Sequence, residues 1–114
     1  MRIVTLYRPV GPQELALIEA SGWREFPPRL AGQPIFYPVL TEEYAAHIAK
    51  RWNAPESGSG FVLRFQLDGD FAQRYPVQIA GSREHRELWV PAEDLAEFNR
   101  HIVAPIDVVA EFRR

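Results

Sequence analysis

The stretch FVLRFQLDGDFAQRYPVQIAGSREHRELWV, residues 61 to 90, decides the fold class because it contains three predicted strands. FVLRFQL alternates apolar and polar residues, which is typical of a strand with one buried face. PVQIA and ELWV form two shorter strands, separated from it and from each other by a turn and a charged loop. These connections are too short for parallel crossovers, so the stretch predicts a mainly antiparallel sheet.

The rest of the chain adds strands and short helices around this sheet. IVTLY, residues 3 to 7, predicts a first strand that ends at Arg8-Pro9, where proline has no donor for the ladder. IFYPVL is a further short strand, PIDVVAEF is the last one, and a helix follows Pro91. Helices are predicted over residues 12 to 21 and 42 to 52, and a mobile glycine-rich loop over 53 to 60. The sum is an α+β fold with about six strands and three short helices.

Length and composition limit the function classes. A chain of 114 residues suits one domain, residues 1 to 114, with one modest core. A net charge of −2 disfavours nucleic-acid binding, and the absence of cysteine excludes thiolate metal sites. The three histidines are far apart in sequence, so no metal site is predicted. Without an apolar signal segment or membrane span, we expect a cytoplasmic protein with no membrane partner.

Three weaker features are candidates for chemistry. Arg8 follows the first strand, where a guanidinium can bind a phosphate or carboxylate, although a solvent-facing arginine is the alternative. Tyr37 and Tyr44 flank a helix start and can stack on a planar ring, whereas helical core packing is the alternative for Tyr44. Glu87 begins a strand and can bind a ribose hydroxyl or stabilise a cationic transition state. The alternative for Glu87 is an exposed ion pair with Arg83 or Arg86.

Three segments carry a resemblance over nearly the whole chain: VTLYRPVGPQELALIEASGWREFPPRL, PIFYPVLTEEYAAHIAKRWN and ELWVPAEDLAEFNRHIV. Through them the chain resembles a group of small bacterial proteins labelled ADP-ribosylation/crystallin J1. It is also similar to the ADP-ribosyltransferase fold, whose small split antiparallel sheet binds NAD in a cleft.

The resemblance implies roles for the candidate residues. Arg8 in LYRP would contact the ribose or phosphate of NAD, and Tyr37 in IFYP, with Tyr44, would stack on nicotinamide. Glu87 in HRELWV would be the catalytic carboxylate. The implied function is an ADP-ribosyltransferase-like domain that binds NAD, or a related nucleotide, in a cleft without a metal. As an enzyme it would use NAD as a substrate and transfer ADP-ribose to a protein or nucleic-acid acceptor that the sequence does not specify.

A second hypothesis comes from another class of function. The loop from Trp23 to Leu30 combines prolines with large apolar side chains, which suits a preorganised surface for a protein partner. On this hypothesis the chain is a non-catalytic interaction module. In either case we expect a monomer or a weak dimer.

Overall fold

A three-stranded antiparallel sheet forms the centre of the molecule in the computed structural model, which describes residues Met1–Arg114. Its strands are β1 (Ile3–Val10), β3 (Ser59–Asp68) and β7 (Asp107–Arg113), with β3 in the middle. The alternating FVLRFQL run therefore lies in the central strand, where Val62, Leu63, Phe65 and Leu67 are all buried. The predicted α+β class with antiparallel sheets is confirmed.

Two short strand pairs continue the structure beyond β1. Their members are β2 (Ile35–Phe36) with β6 (Val90–Pro91), and β4 (Val77–Ile79) with β5 (Arg86–Leu88). Val39, just after β2, exchanges two hydrogen bonds of 2.9 and 2.8 Å with Tyr7 and also bridges to Glu87. Residues 35 to 40 thus run between β1 and β5, which brings the middle of β1 close to Glu87.

Five α-helices in four helical stretches complete the fold, one stretch more than the three that the sequence predicts. The helices are α1 (Pro12–Ala20), α2 (Glu42–Ile48), α3 (Ala54–Ser57), α4 (Gly69–Ala72) and α5 (Leu95–Arg100). A π-helical turn, Ala49–Asn53, joins α2 to α3, and a 3-10 turn, Ala92–Asp94, leads into α5. No helix combines the length and the apolar character needed to cross a membrane.

Four phenylalanine rings form the centre of the core. Phe26, Phe36, Phe65 and Phe98 are at most 1% exposed, and their ring centroids lie 4.9 to 6.0 Å apart in tilted and edge-to-face pairs. Such geometry favours aromatic pairs, because the positive ring edge meets the negative ring face. Asn99 on α5 also fixes the loop from Trp23 to Leu30, since its side-chain amide makes two 2.9 Å hydrogen bonds with the backbone of Phe26.

This packing bears on the proposed interaction loop. Phe26 belongs to the core and is not available to a partner, and Trp23 is partly buried against that core. Leu30, by contrast, is 72% exposed. The interaction hypothesis stays a prediction that now depends on Leu30 and the neighbouring prolines.

The predicted mobile loop over residues 53 to 60 is wrong. Residues 54 to 57 are helical, because Pro55 fits the first turn of a helix and Gly58 ends it with a φ of +88°. The predicted helix over 42 to 52 instead enters the π turn at Ala49, which shifts the helical phase and leaves Trp52 63% exposed. Gly60 packs directly on this turn: a Cβ there would lie 2.3 Å from the carbonyl oxygen of Ala49.

Two predicted strand boundaries are also wrong. β1 does not end at Pro9 but continues to Val10. Hydrogen-bonding direction alternates along a strand, and Tyr7 bonds to Val39, so the missing N–H of Pro9 lies on the side away from β3. The predicted strand ELWV is interrupted at Trp89, because β5 pairs with β4 whereas β6 pairs with β2.

Candidate functional site

The four residues singled out from the sequence line one cavity of about 310 Å³. Arg8 comes from β1, Tyr37 from the segment after β2, Tyr44 from α2 and Glu87 from β5. They meet because residues 35 to 40 lie between β1 and β5. The other lining residues are Pro9, Val39, Ile48 and Asn53. We call this cavity the cleft.

Glu87 is a buried carboxylate held by two neutral donors. Only 7% of the residue is exposed. The Tyr44 hydroxyl donates to Oε1 at 2.8 Å, and the indole Nε1–H of Trp89 donates to Oε2 at 3.1 Å. No arginine forms an ion pair with it, so the exposed pair with Arg83 or Arg86 considered from the sequence is absent. The negative charge of Glu87 is therefore not neutralised by a neighbouring cation.

Tyr44 connects the helix start to the carboxylate. The Thr41 hydroxyl caps α2 by accepting from the Tyr44 backbone N–H at 3.1 Å, which places the tyrosine in the first turn. Burial, together with the hydrogen bond and charge of Glu87, raises the pKa of Tyr44 to about 12. The phenol therefore remains a protonated donor at neutral pH. Core packing, the alternative considered for Tyr44, accounts for only part of its ring.

A histidine covers one face of the Tyr44 ring. His85 stacks on it with centroids 4.4 Å apart and planes 6° from parallel, and the His47 ring lies 5.5 Å from His85. Tyr44, His47 and His85 line a separate, histidine-lined surface cavity of about 440 Å³. No group of three or more histidine and carboxylate side chains is arranged to hold a metal ion. Because His85 covers one face of the Tyr44 ring, a ligand ring in the cleft can stack on Tyr44 only from the other face.

Arg8 is buried with the core-facing side chains of β1. Burial alternates along the strand, and Arg8 shares the buried face with Leu6 and Val10. Its guanidinium bonds to both carboxylate oxygens of Glu14, at 2.6 and 2.9 Å, and lies 4.6 Å from the centroid of the Phe36 ring. The alternative of a solvent-facing arginine beside a turn is wrong, because the residue is only 7% exposed.

Tyr37 is the most open member of the cleft, with 41% of the residue exposed. Its backbone carbonyl is 3.5 Å from Nη1 of Arg8, at the limit of a hydrogen bond. None of the aromatic pairs in the structure includes its ring. A face of this ring therefore stays available to a planar ligand.

Sequence reasoning missed three residues of the site. Glu14 pairs with Arg8, Trp89 donates to Glu87, and Asn53 lines the cleft with a buried Oδ1 that has no hydrogen-bond partner. Strand alternation contained a signal for the first two. Arg8 has the parity of the buried Leu6, so a buried guanidinium there requires a carboxylate partner. In the predicted strand ELWV, Trp89 lies two residues from Glu87, a spacing that places two side chains on the same face. The π turn that positions Asn53 has no comparable sequence signal.

Comparison with known proteins gives no relative from which a role for these residues can be taken. No family model, curated protein or solved structure matches the chain.

Proposed function

We propose that this chain is an ADP-ribosyltransferase-like domain that binds NAD in the cleft and transfers ADP-ribose to an acceptor. One observation carries the proposal: Arg8, Tyr37, Tyr44 and Glu87, singled out from four separate parts of the sequence, line a single cavity. Its volume of about 310 Å³ is at the small end of ligand pockets, which run from roughly 300 to 1,000 Å³. It suits the nicotinamide and its ribose, whereas a whole dinucleotide must extend beyond it.

Glu87 has the properties that such a reaction needs. Each carboxylate oxygen has two acceptor positions, so after the bonds to Tyr44 and Trp89 each can still accept from a ribose hydroxyl. Both partners are neutral donors, so no cation of the protein competes with a developing positive charge for this carboxylate. Fixed donors also hold it in place before the reaction, which removes the cost of reorienting it in the transition state.

The proposed step breaks the bond between the ribose C1′ and the nicotinamide nitrogen. The bonding electrons leave with nicotinamide, which departs as a neutral molecule, and C1′ becomes an oxocarbenium-like centre next to Glu87. The acceptor then forms a new bond to C1′ with its lone pair and releases a proton. When water is the acceptor, the products are ADP-ribose, nicotinamide and one proton.

The remaining residues position the substrate. Tyr37 offers an open ring face for nicotinamide, and Tyr44 offers the ring face that His85 leaves uncovered. Stacking on such rings excludes water from the departing group. Arg8 lines the end of the cleft where phosphate would lie, with its charge already paired with Glu14.

The test is nicotinamide release from NAD by the purified protein. The wild type is expected to release it, and Glu87→Gln, which keeps the size of the side chain and removes the charge, is expected to slow release by roughly a hundredfold or more. Glu19→Gln is the matched control, because Glu19 is an exposed glutamate on α1 that lines neither the cleft nor its neighbours. If the wild type neither binds NAD nor releases nicotinamide, the proposed function is wrong.

A further inference from the structure

A second cavity of about 400 Å³ adjoins the cleft. Arg8, Pro9 and Asn53 line both cavities, so they form the boundary between them. The second cavity extends between the start of α1 and the loop that precedes β2, where Glu14 and Arg29 also line it. The two cavities are therefore neighbours, and a ligand too large for the cleft would have to pass these three residues to reach the second cavity.

Arg29 has free hydrogen-bond donors in this second cavity. The side chain is partly buried, and its Nε donates to the backbone carbonyl of Ile35 at 3.1 Å. The two terminal nitrogens have no acceptor within the protein, and no carboxylate pairs with the residue. The bond to Ile35 fixes the direction of the planar guanidinium, so its outer edge is preorganised for a bidentate acceptor.

The charges around the second cavity favour an anion. Its ionisable side chains are Arg8, Arg29 and Glu14, which together give a net charge of +1. Glu14 is already bonded to Arg8 through both oxygens, so the charge of Arg29 has no partner of its own. Burial, and to a smaller extent the charge of Arg8, lowers the pKa of Arg29. An anion between the two guanidinium groups would relieve this repulsion.

Asn53 adds a polar atom at the boundary of the two cavities. Its Oδ1 is buried without a partner, although buried polar atoms are nearly always hydrogen-bonded. A carbonyl oxygen requires a donor, and a ribose hydroxyl is a donor of suitable size. A ribose hydroxyl at the boundary would supply this donor, whereas an ionised phosphate oxygen only accepts hydrogen bonds.

We propose that the second cavity is a diphosphate-binding subsite in which the free edge of Arg29 contacts the phosphate oxygens, while Asn53 accepts from the adjoining ribose. This inference rests on the proposed function, because it assigns the diphosphate of NAD to the second cavity. The subsite requires only the diphosphate group and not the rest of NAD. Inorganic pyrophosphate contains this group and is therefore a sufficient probe.

The test measures pyrophosphate binding by calorimetry for four proteins, the wild type and three variants. Wild type is expected to bind pyrophosphate more tightly than inorganic phosphate. Arg29→Gln is expected to weaken pyrophosphate binding roughly ten- to a hundredfold, because a charge-assisted hydrogen-bonded contact is lost. Arg24→Gln, an exposed arginine on the same loop with no contact to the second cavity, is expected to bind as the wild type does. Arg29→Lys, which keeps the charge without the fork, is expected to be intermediate and guards against a loss of folding.

The outcomes separate this subsite from the proposed function. Equal weakening by Arg29→Gln and Arg24→Gln would mean unspecific attraction to positive charge and would overturn the subsite. An Arg29→Gln variant that turns over NAD with the same KM as the wild type would also overturn the subsite, while leaving the proposed function intact. Pyrophosphate binding that depends on Arg29 in a protein that does not bind NAD would support the subsite and contradict the proposed function.

Discussion

Tyr44→Phe removes one hydroxyl and tests how Glu87 is held. In the folded protein that hydroxyl donates at 2.8 Å to the carboxylate of Glu87, a residue that is only 7% exposed. Without it, Oε1 of Glu87 loses its only protein donor, whereas the indole of Trp89 still holds Oε2. We therefore expect both lower stability and a less precisely oriented carboxylate.

The size of the stability effect follows from the charge of the acceptor. A hydrogen bond to a charged group contributes about 1.5–3 kcal/mol, compared with about 1 kcal/mol for a neutral pair. Tyr44 is only partly buried, so water can replace part of the lost bond, and we expect a decrease of about 1.5–2 kcal/mol in the free energy of unfolding. For a domain of this length the decrease corresponds to a Tm lower by roughly 6–8 °C.

Tyr75→Phe is a matched control outside the cleft. Its hydroxyl donates at 3.0 Å to Asp94, and burial and this bond raise the pKa of Tyr75 to about 12, as for Tyr44. Urea unfolding is expected to show a loss of about 1.5–3 kcal/mol for Tyr75→Phe as well. Only Tyr44→Phe should slow nicotinamide release. Equal activity of the two variants would refute the argument that Tyr44 holds a catalytic carboxylate.

A double-mutant cycle isolates the contact itself. In a Glu87→Gln background the acceptor is neutral, so Tyr44→Phe should cost less than in the wild type. A difference of about 0.5–1 kcal/mol or more is expected for residues in direct contact. Fully additive effects would mean that the 2.8 Å bond makes no specific contribution.

Two further predictions concern stability. Folding raises the pKa of Tyr44 and Tyr75 from 10 to about 12, so the folded state holds these protons more tightly; the resulting stability is complete below pH 10 and lost as the pH rises through 12. Urea unfolding across this window should show the decline, and it should be shallower in either Phe variant. Gly60→Ala is expected to destabilise by about 1–3 kcal/mol or more because its Cβ would meet a backbone oxygen, whereas Gly11→Ala, with 3.6 Å to its nearest contact, should cost a few tenths of a kcal/mol. Equal costs in thermal unfolding would contradict the close packing at Gly60.

Local patterns in the sequence predicted the sheet class and most of the elements. Alternation in FVLRFQL correctly indicated a strand with buried residues, and Pro12 correctly marked the first turn of α1. Local signals failed where a tertiary contact decides the backbone. The glycine-rich stretch 53 to 60 looks mobile, yet Gly60 is there to let β3 approach the π turn.

Four residues of the candidate site were predicted one by one from the sequence, but their arrangement was not. Charged or aromatic residues at strand and helix ends identified Arg8, Tyr44 and Glu87 as candidates. That they share a cavity depends on the pairing of Val39 with both β1 and β5, a long-range contact that no local pattern encodes. The burial of Glu87 likewise depends on Tyr44, which is 43 residues away in the chain.

The most direct test of the central claim is the NMR signal of the Trp89 indole N–H during a titration with NAD. This proton points at Oε2 of Glu87, so it reports on the cleft without requiring turnover. Trp23, packed against the core away from the cleft, gives an internal reference signal. We predict that NAD shifts the Trp89 signal in a saturable way and leaves the Trp23 signal unchanged. Two results would contradict the account: NAD does not bind, or NAD saturates the protein and the Trp89 signal does not move.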